Sequence, residues 1–123
     1  MSTQNSQPLP QDKAELVLAS ASPRRRELLA QIGVRFRVEV ADIDEAVLNG
    51  ESPREYTIRV ACDKAREVIR RTGCSVPVLG ADTAVILDGD ILGKPRDKSE
   101  AARMLGRLSG RTHHVYSAVA VAC

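Results

Sequence analysis

The feature that most restricts how this chain can fold is an apolar run followed directly by a capped, arginine-rich helix start. Leu16–Ala19 is apolar and has the length of a buried strand. Ser22 is a good N-cap, and Pro23 falls at the first helical position, where its missing N–H is not needed. The helix continues over residues 27–33 and ends at a glycine. Residues 20–26 are therefore predicted to form a strand-to-helix turn.

This turn has the chemistry of an anion site. Helix N-termini carry unpaired N–H donors and partial positive charge, both of which favour a phosphate group. Ser20, Arg24 and Arg25 would add hydroxyl and guanidinium donors to those amides. A well-capped helix that merely carries surface arginines explains the same residues, so both interpretations stay open at this point.

Composition argues against several classes of partner. The 123 residues are enough for one domain with a sizeable core. One Phe, two Tyr and no Trp leave few rings for base stacking, and a net charge of +2 is too small to indicate a nucleic-acid partner. No apolar run approaches the roughly 18 residues of a membrane span. We therefore expect neither a nucleic acid nor a membrane as partner.

The cysteines and the N-terminus indicate a cytoplasmic protein. Cys62, Cys74 and Cys123 show neither C-x-x-C pairing nor zinc spacing, so we predict free thiols in a reducing compartment. Residues 1–13 are polar, are rich in Gln, Ser and Pro, and lack the apolar core of a signal peptide. We predict a disordered leader there and a folded domain over residues 14–123.

The rest of the chain alternates between strand patterns and capped helices. Strands are predicted over residues 34–40, 76–83 and about 112–123, with an Asp-Gly hairpin turn within 85–92. Ser52 and Asp97 are the predicted caps of two further helices. The side chains predicted to face inward include Val34, Phe36, Val38 and Val40, and in the last helix Ala101, Met104, Leu105 and Leu108. The chain stops within an apolar strand, which is typical of a piece of a longer protein.

Charged residues lie where the predicted strands end. Asp44 and Glu45 follow one strand, and Asp82 closes another. Loops at strand ends often carry functional residues, although a solvated acidic turn is the simpler explanation of Asp44 and Glu45 on spacing alone. Lys64 lies on the inward stripe of a helix, where it either extends to water or points at an anion. Lys94 lies in a Gly-Lys-Pro turn.

These basic and acidic residues together suit one kind of chemistry. Basic side chains and a helix N-terminus favour a polyphosphate, and separated carboxylates favour a magnesium-type ion that bridges phosphate oxygens. The combination indicates metal-assisted attack on a phosphoric anhydride. The basic residues are Arg24, Arg25, Lys64 and Lys94, and the acidic residues are Asp44, Glu45 and Asp82.

A series of motifs resembles the Maf family of nucleoside triphosphate pyrophosphatases. The series begins with Ser20-x-Ser22-Pro23-Arg24-Arg25-x-Glu27-Leu28-Leu29. The further motifs are Asp44-Glu45, Glu55-Tyr56, Ala61-x-x-Lys64-Ala65, Leu79-Gly80-Ala81-Asp82-Thr83, Gly93-Lys94-Pro95 and Met104-Leu105-x-x-Leu108-Ser109-Gly110-x-Thr112-His113. Each motif alone is modest, but their order and spacing match the family from about Leu16 to the last residue.

The resemblance implies an α/β fold, with an elongated mixed sheet flanked by helices and a cleft that holds the nucleotide. It implies hydrolysis of a nucleoside triphosphate between the α and β phosphates, which yields a monophosphate and pyrophosphate. Family members continue beyond the matched part, so residues 14–123 resemble the N-terminal two-thirds of one Maf-like domain. The absent C-terminal part includes sheet strands and a glutamine linked to base choice.

The resemblance also implies a role for each matching residue. Asp82 is the expected general base and, with Glu45, the expected holder of a divalent cation, Mg²⁺ or Mn²⁺. Arg24 and Thr83 are expected to help select the base. The residues expected to neutralise or bind the phosphates are the catalytic Lys64 and Lys94, together with Ser20, Ser22, Arg24 and Arg25.

Thr83 distinguishes two subgroups of the family. It resembles the subgroup that acts on dTTP and UTP, whereas a sister subgroup acting on 7-methyl-GTP usually lacks this threonine. The resemblance thus implies removal of surplus or modified pyrimidine nucleotides, a house-cleaning role linked to cell-division arrest. Two alternatives remain, a 7-methyl-GTP pyrophosphatase and a non-catalytic regulator of septum formation. Whether the protein forms a homodimer is left open.

Overall fold

The computed structural model describes residues 13–92 and 97–123, and in these ranges the chain forms five strands and three helices. In chain order the elements are β1 (Leu16–Ala19), α1 (Pro23–Gln31), β2 (Phe36–Val38), α2 (Pro53–Thr72), β3 (Val78–Leu87), β4 (Asp90–Leu92), α3 (Lys98–Leu108) and β5 (His114–Ala122). The mixed α/β architecture implied by the motifs is therefore confirmed.

β3 is the central strand of the sheet. β1 lies parallel to its first residues, with Leu18 opposite Leu79, and β2 lies parallel to β1 on the outside. β4 returns antiparallel along the end of β3, with Ile86 opposite Ile91. β5 runs antiparallel along the other edge of β3 from Val78 to Ile86. One ten-residue strand thus joins the parallel and antiparallel parts of the sheet.

The first two helices begin at the capping residues that the sequence predicts. The Ser22 hydroxyl accepts a hydrogen bond from the Arg25 N–H at 3.4 Å, and Pro23 opens α1. At α2 the Ser52 hydroxyl accepts from the Glu55 N–H at 3.1 Å, and the Glu55 carboxylate accepts from the Ser52 N–H at 3.0 Å. These bonds satisfy donors that a helix N-terminus otherwise leaves unpaired.

α2 packs on β1 and β3 and supplies much of the core. Its buried residues are Tyr56, Thr57, Val60, Ala61, Ala65 and Val68. Gly80 in β3 permits a very close approach, since a Cβ there would lie 2.2 Å from the Ala61 carbonyl oxygen and 2.9 Å from the Ala65 nitrogen. A residue with a side chain would therefore force α2 away from the sheet.

Away from α2, two side chains predicted to face inward are exposed. β2 is shorter than the predicted strand over 34–40, and Val40 is 50% exposed. No residue of α3 is buried, and Leu105 is 68% exposed. Hydrophobic periodicity identifies residues that share a face, but a face is buried only where a neighbouring element covers it. These inward predictions are therefore wrong for Val40 and Leu105.

Two of the three cysteines form a disulfide, so the prediction of free thiols is wrong for them. Cys74 precedes β3 and Cys123 follows β5, and their Cα atoms are 5.5 Å apart. The antiparallel register of Val78 with Ala122 brings these flanking residues together, whereas their separation of 49 positions has no recognisable spacing. Cys62 is a free thiol, as predicted. The cysteines consequently no longer argue for a reducing compartment.

Some predictions concern residues outside the described ranges. The predicted leader over residues 1–13 falls there except for Lys13, and so does Lys94. Within residues 13–92 and 97–123, no helix combines the length and the apolar character needed to cross a membrane.

Candidate functional site

The polar residues singled out in the sequence meet in one cavity. It has a volume of about 670 Å³, within the usual range of small-molecule sites, and lies where β1, the start of α1, β3 and β5 come together. Eight of the nine predicted site residues line it, namely Ser20, Ser22, Arg24, Arg25, Glu45, Lys64, Asp82 and Thr83. The ninth, Lys94, lies outside the described residues.

Lys64 connects the two carboxylates of the cavity. Its ammonium lies 3.4 Å from Asp82 Oδ1 and 3.9 Å from Glu45 Oε2. The close approach of α2 at Gly80, two residues before Asp82, brings the ammonium within reach of β3. The side chains of Lys64 and Asp82 are only 12% and 10% exposed, so water screens their attraction weakly. Of the two interpretations left open for Lys64, the structure supports the side chain that points into the site.

Arg25 is held on the basic side of the cavity. Its guanidinium donates to the Thr83 hydroxyl at 2.9 Å and to the Ser20 hydroxyl at 3.4 Å. Ser20 also accepts from the Ser22 N–H at 3.1 Å, so the turn supports the arginine that follows it. Arg24 also lines the cavity, but its guanidinium has no hydrogen-bond partner among the described residues.

Ser117 is a cavity residue to which the sequence assigned no role. The register of β5 places it opposite Thr83, and the two hydroxyl oxygens are 3.1 Å apart. Its only sequence signal is a polar residue in an otherwise apolar alternating strand. Its partner depends on strand register, which the sequence pattern does not specify.

The loop between β2 and α2 carries Glu45 and is anchored by α2 at two consecutive carbonyl groups. The Tyr56 hydroxyl donates to the Glu45 carbonyl at 2.7 Å, and the Arg59 guanidinium donates to the Ala46 carbonyl at 2.9 Å. Arg59 also forms a bidentate ion pair with Glu51, with Nε 2.6 Å from Oε2. Because the loop contains no helix or strand, these side chains determine where Glu45 lies.

Burial and neighbouring charges shift the pKa values of the groups that anchor this loop. Burial raises the pKa of Tyr56, and the negative charges of Asp82 and Glu45 raise it further. The hydrogen bond from Arg59 lowers the pKa of Glu51, and the same bond raises the pKa of Arg59. Tyr56 therefore stays a neutral donor at physiological pH, close to two carboxylates.

The donor set of the cavity fits a magnesium-type ion. Glu45 and Asp82 are both cavity residues, and a carboxylate oxygen of each lies within 4 Å of the Lys64 ammonium. Mg²⁺ is commonly held by one or two carboxylates together with substrate phosphates and water. A cluster of three or more His, Cys, Asp or Glu side chains is absent from the described part of the chain. Asp44 does not line the cavity, and its carboxylate accepts from the Ala46 N–H.

Comparison with known proteins places most of this chain in one family. Residues 15–123 match the family model described as Maf-like protein. The chain belongs to the Maf family. The match to the Maf model covers both sides of the cavity, from the turn that holds Ser20 to the strand that holds Ser117.

Two curated relatives share more than half of the aligned residues with this chain. The dTTP/UTP pyrophosphatase of Shigella dysenteriae is 54% identical over 107 residues, which is 87% of this chain and 54% of that protein. The dTTP/UTP pyrophosphatase of Anaeromyxobacter dehalogenans is 58% identical over 106 residues, covering 86% of this chain and 52% of that one. The chain thus spans about half the length of the curated relatives it matches.

A solved structure of lower similarity is the nucleoside-triphosphatase / dITP/XTP pyrophosphatase of Mycobacterium abscessus. It is 17% identical, with a TM-score of 0.47, and the match covers 86% of this chain and 72% of that one.

Proposed function

We propose that this Maf-family chain contributes the phosphate-binding and catalytic residues of a nucleoside triphosphate pyrophosphatase that hydrolyses dTTP and UTP to monophosphate and pyrophosphate. The proposal rests on one observation about the cavity. The Lys64 ammonium lies close to two carboxylates there, and the arginine-bearing N-terminus of α1 lines the same cavity. Relatives at 54% and 58% identity are named dTTP/UTP pyrophosphatases, which supports the same substrates here.

In this proposal the triphosphate lies against the basic side of the cavity. The hydroxyls of Ser20 and Ser22 and the backbone N–H of Arg24 donate to phosphate oxygens. Arg24, Arg25 and Lys94 neutralise phosphate charge, with Arg25 held ready by its bonds to hydroxyls. Such fixed donors need little reorganisation when charge develops in the reaction, which makes them effective in catalysis.

Asp82 is the proposed general base. Its carboxylate takes a proton from the attacking water, while the water oxygen bonds to phosphorus and the bond to the bridging oxygen breaks. Lys64, 3.4 Å away, orients the carboxylate and stabilises negative charge on the phosphates. When bound by Glu45 and Asp82, Mg²⁺ or Mn²⁺ would supply further charge neutralisation at phosphate oxygens.

Arg24 and Thr83 are proposed to select the base. Both line the cavity, and the Arg24 guanidinium has no hydrogen-bond partner among the described residues. The alternative substrate is 7-methyl-GTP, the substrate of the sister subgroup. The threonine at position 83 favours the pyrimidine substrates, because that subgroup usually lacks it.

The cellular setting belongs to the same proposal. Residues 14–123 are proposed to form the N-terminal two-thirds of a single domain. The protein is proposed to work in the cytoplasm as a house-cleaning enzyme, with neither a nucleic acid nor a membrane as partner. The proposal leaves open whether the protein forms a homodimer and whether it has a role in septum formation.

Pyrophosphate release tests the proposed activity. The full chain is incubated with dTTP, UTP or 7-methyl-GTP in the presence of Mg²⁺ or Mn²⁺. We expect release from dTTP and UTP, and a loss of at least about 100-fold in Asp82→Asn, because a general base contributes about that much or more. Asp44→Asn is the matched control, since this acid does not line the cavity. A preference for 7-methyl-GTP, or full activity in Asp82→Asn, contradicts the proposal.

The same variant separates catalysis from a regulatory role. If the protein affects septum formation by hydrolysis, Asp82→Asn should abolish both the activity and the division phenotype. A phenotype that persists in cells expressing Asp82→Asn would instead favour the non-catalytic regulator.

A further inference from the structure

We propose that Ser117 is a positioning residue that acts through Thr83 to hold the Arg25 guanidinium at the cavity. The inference rests on the proposed function, in which Arg25 is a phosphate-binding residue. Ser117 lies on β5, Thr83 on β3 and Arg25 on α1, so the three side chains connect three elements around one site.

The hydrogen bonds form a continuous series across the cavity. The Ser117 and Thr83 hydroxyl oxygens are 3.1 Å apart, and the Thr83 oxygen accepts from Arg25 at 2.9 Å. Arg25 donates in turn to Ser20 at 3.4 Å, and Ser20 accepts from the Ser22 N–H at 3.1 Å. The series therefore extends from β5 to the turn that begins α1.

The partners of Arg25 are neutral, and this distinguishes it from arginines with a structural role. Arg59 and Arg70 each bind a carboxylate, at 2.6 and 2.7 Å, which offsets their charge. Among the residues that the structure describes, Arg25 binds hydroxyls and forms no ion pair. Hydroxyl partners fix a guanidinium without cancelling its charge, which leaves that charge available for a phosphate.

Ser117 completes the hydrogen bonding of Thr83. A threonine hydroxyl has one proton and two lone pairs, and the Arg25 bond uses one lone pair. Ser117 lies opposite and bonds to this hydroxyl, either by accepting its proton or by donating to its second lone pair, so that the lone pair bonded to Arg25 stays in place. Without Ser117 the hydroxyl can rotate towards other acceptors, and hydrogen bonds in a series weaken when one is removed.

The register explains why Ser117 has this position. Thr83 and Ser117 are directly opposite in the antiparallel β3–β5 pair, so their side chains lie on the same face of the sheet. Tyr116, the preceding residue, is opposite Ala84 and lies on the other face. Tyr116→Phe therefore removes a hydroxyl from the same strand without touching the series, and it is the matched control.

The test compares Ser117→Ala, Ser117→Thr and Tyr116→Phe in the full chain, with pyrophosphate release from dTTP as the assay. We expect Ser117→Ala to raise KM for dTTP about three- to tenfold, the effect of one hydrogen bond, with little change in kcat. Ser117→Thr keeps a hydroxyl and should restore KM, and Tyr116→Phe should match the parent protein. A KM unchanged in Ser117→Ala overturns the inference.

A double-mutant cycle tests whether Ser117 acts through Thr83. Thr83→Val removes the intermediate hydroxyl, so adding Ser117→Ala to it should change KM no further. If the KM increase of the double variant equals the product of the two single increases, Ser117 acts on the substrate independently of Thr83, and the positioning role is overturned. Absence of dTTP turnover and of dTTP binding in the parent protein would refute the proposed function first, and the inference with it.

Discussion

α2 and α3 both begin at a side-chain cap, but only α2 is packed in the core. Ser52 caps α2, and the Asp97 carboxylate accepts from the Glu100 N–H at 2.8 Å at the start of α3. Six residues of α2 are buried, whereas none of α3 is. A cap fixes where a helix begins, but most of the stability of a helix in a protein comes from packing.

This difference explains why the site is built on α2. Lys64 reaches the carboxylates from this helix, and Tyr56 and Arg59 anchor the loop that carries Glu45. No residue of α3 lines the cavity. Side chains on a packed helix are held in a narrow range of positions, which a site for phosphate chemistry requires.

The largest expected effect concerns the contact between α2 and β3. Gly80→Ala would place a Cβ 2.2 Å from the Ala61 carbonyl oxygen, so α2 or β3 must move. We expect the free energy of unfolding to fall by about 3 kcal/mol, at the upper end of the usual cost of overpacking. Urea denaturation followed by circular dichroism measures the change.

α3 offers the matched control for this substitution. A Cβ at Gly106 would meet no atom within 4 Å, and alanine favours a helix over glycine. Gly106→Ala should therefore raise the free energy of unfolding by about 0.5–1 kcal/mol. If both alanine variants changed stability equally, the contrast between the two helices would not hold.

A smaller effect is expected at the loop anchored by α2. Tyr56→Phe removes the donor to the Glu45 carbonyl and should lower the free energy of unfolding by about 1 kcal/mol. Because the loop then holds Glu45 less firmly, Mn²⁺ should bind more weakly in an equilibrium titration without nucleotide. Unchanged Mn²⁺ affinity, with stability reduced, would mean that Tyr56 serves the fold alone.

The smallest effect concerns the pH dependence of the same anchor. The Arg59 hydrogen bond lowers the pKa of Glu51 below its ordinary value of 4.5, so the folded state favours the ionised carboxylate. This stabilisation is fully present above the ordinary pKa and is lost as the pH falls through the lowered one. The difference in unfolding free energy between the parent protein and Glu51→Gln should therefore shrink as the pH falls below 4.5. A gap that stays constant with pH would contradict this.

The sequence predicted the elements well where the signals are local. The caps at Ser22 and Ser52 and the hairpin turn after β3 depend on a few neighbouring residues, and the structure has each of them. The burial predicted for Leu105 and the free thiols predicted for Cys74 and Cys123 were wrong. Both depend on which distant segment lies opposite, and a local pattern does not contain that information.

The same distinction between local signals and distant contacts applies to the candidate site. Family motifs identified the residues at the strand ends, and eight of the nine lie in one cavity. The supporting residues Tyr56, Arg59 and Ser117 were assigned no role, because each acts through a backbone carbonyl or a hydroxyl that only the fold brings near. The structure also shows Arg25, not Arg24, bonded to Thr83.

The central position of β3 has a consequence for how the protein folds. β1 pairs with β2 early in the chain, but its other partner begins at Val78, and the strand that carries Ser117 comes later still. Residues about 100 positions apart, Ser20 and Ser117, must meet before the cavity exists. Such distant pairing slows folding, because the entropy of loop closure is lost before the stabilising contacts form. During synthesis the cavity therefore cannot form before the strand that carries Ser117 has been made.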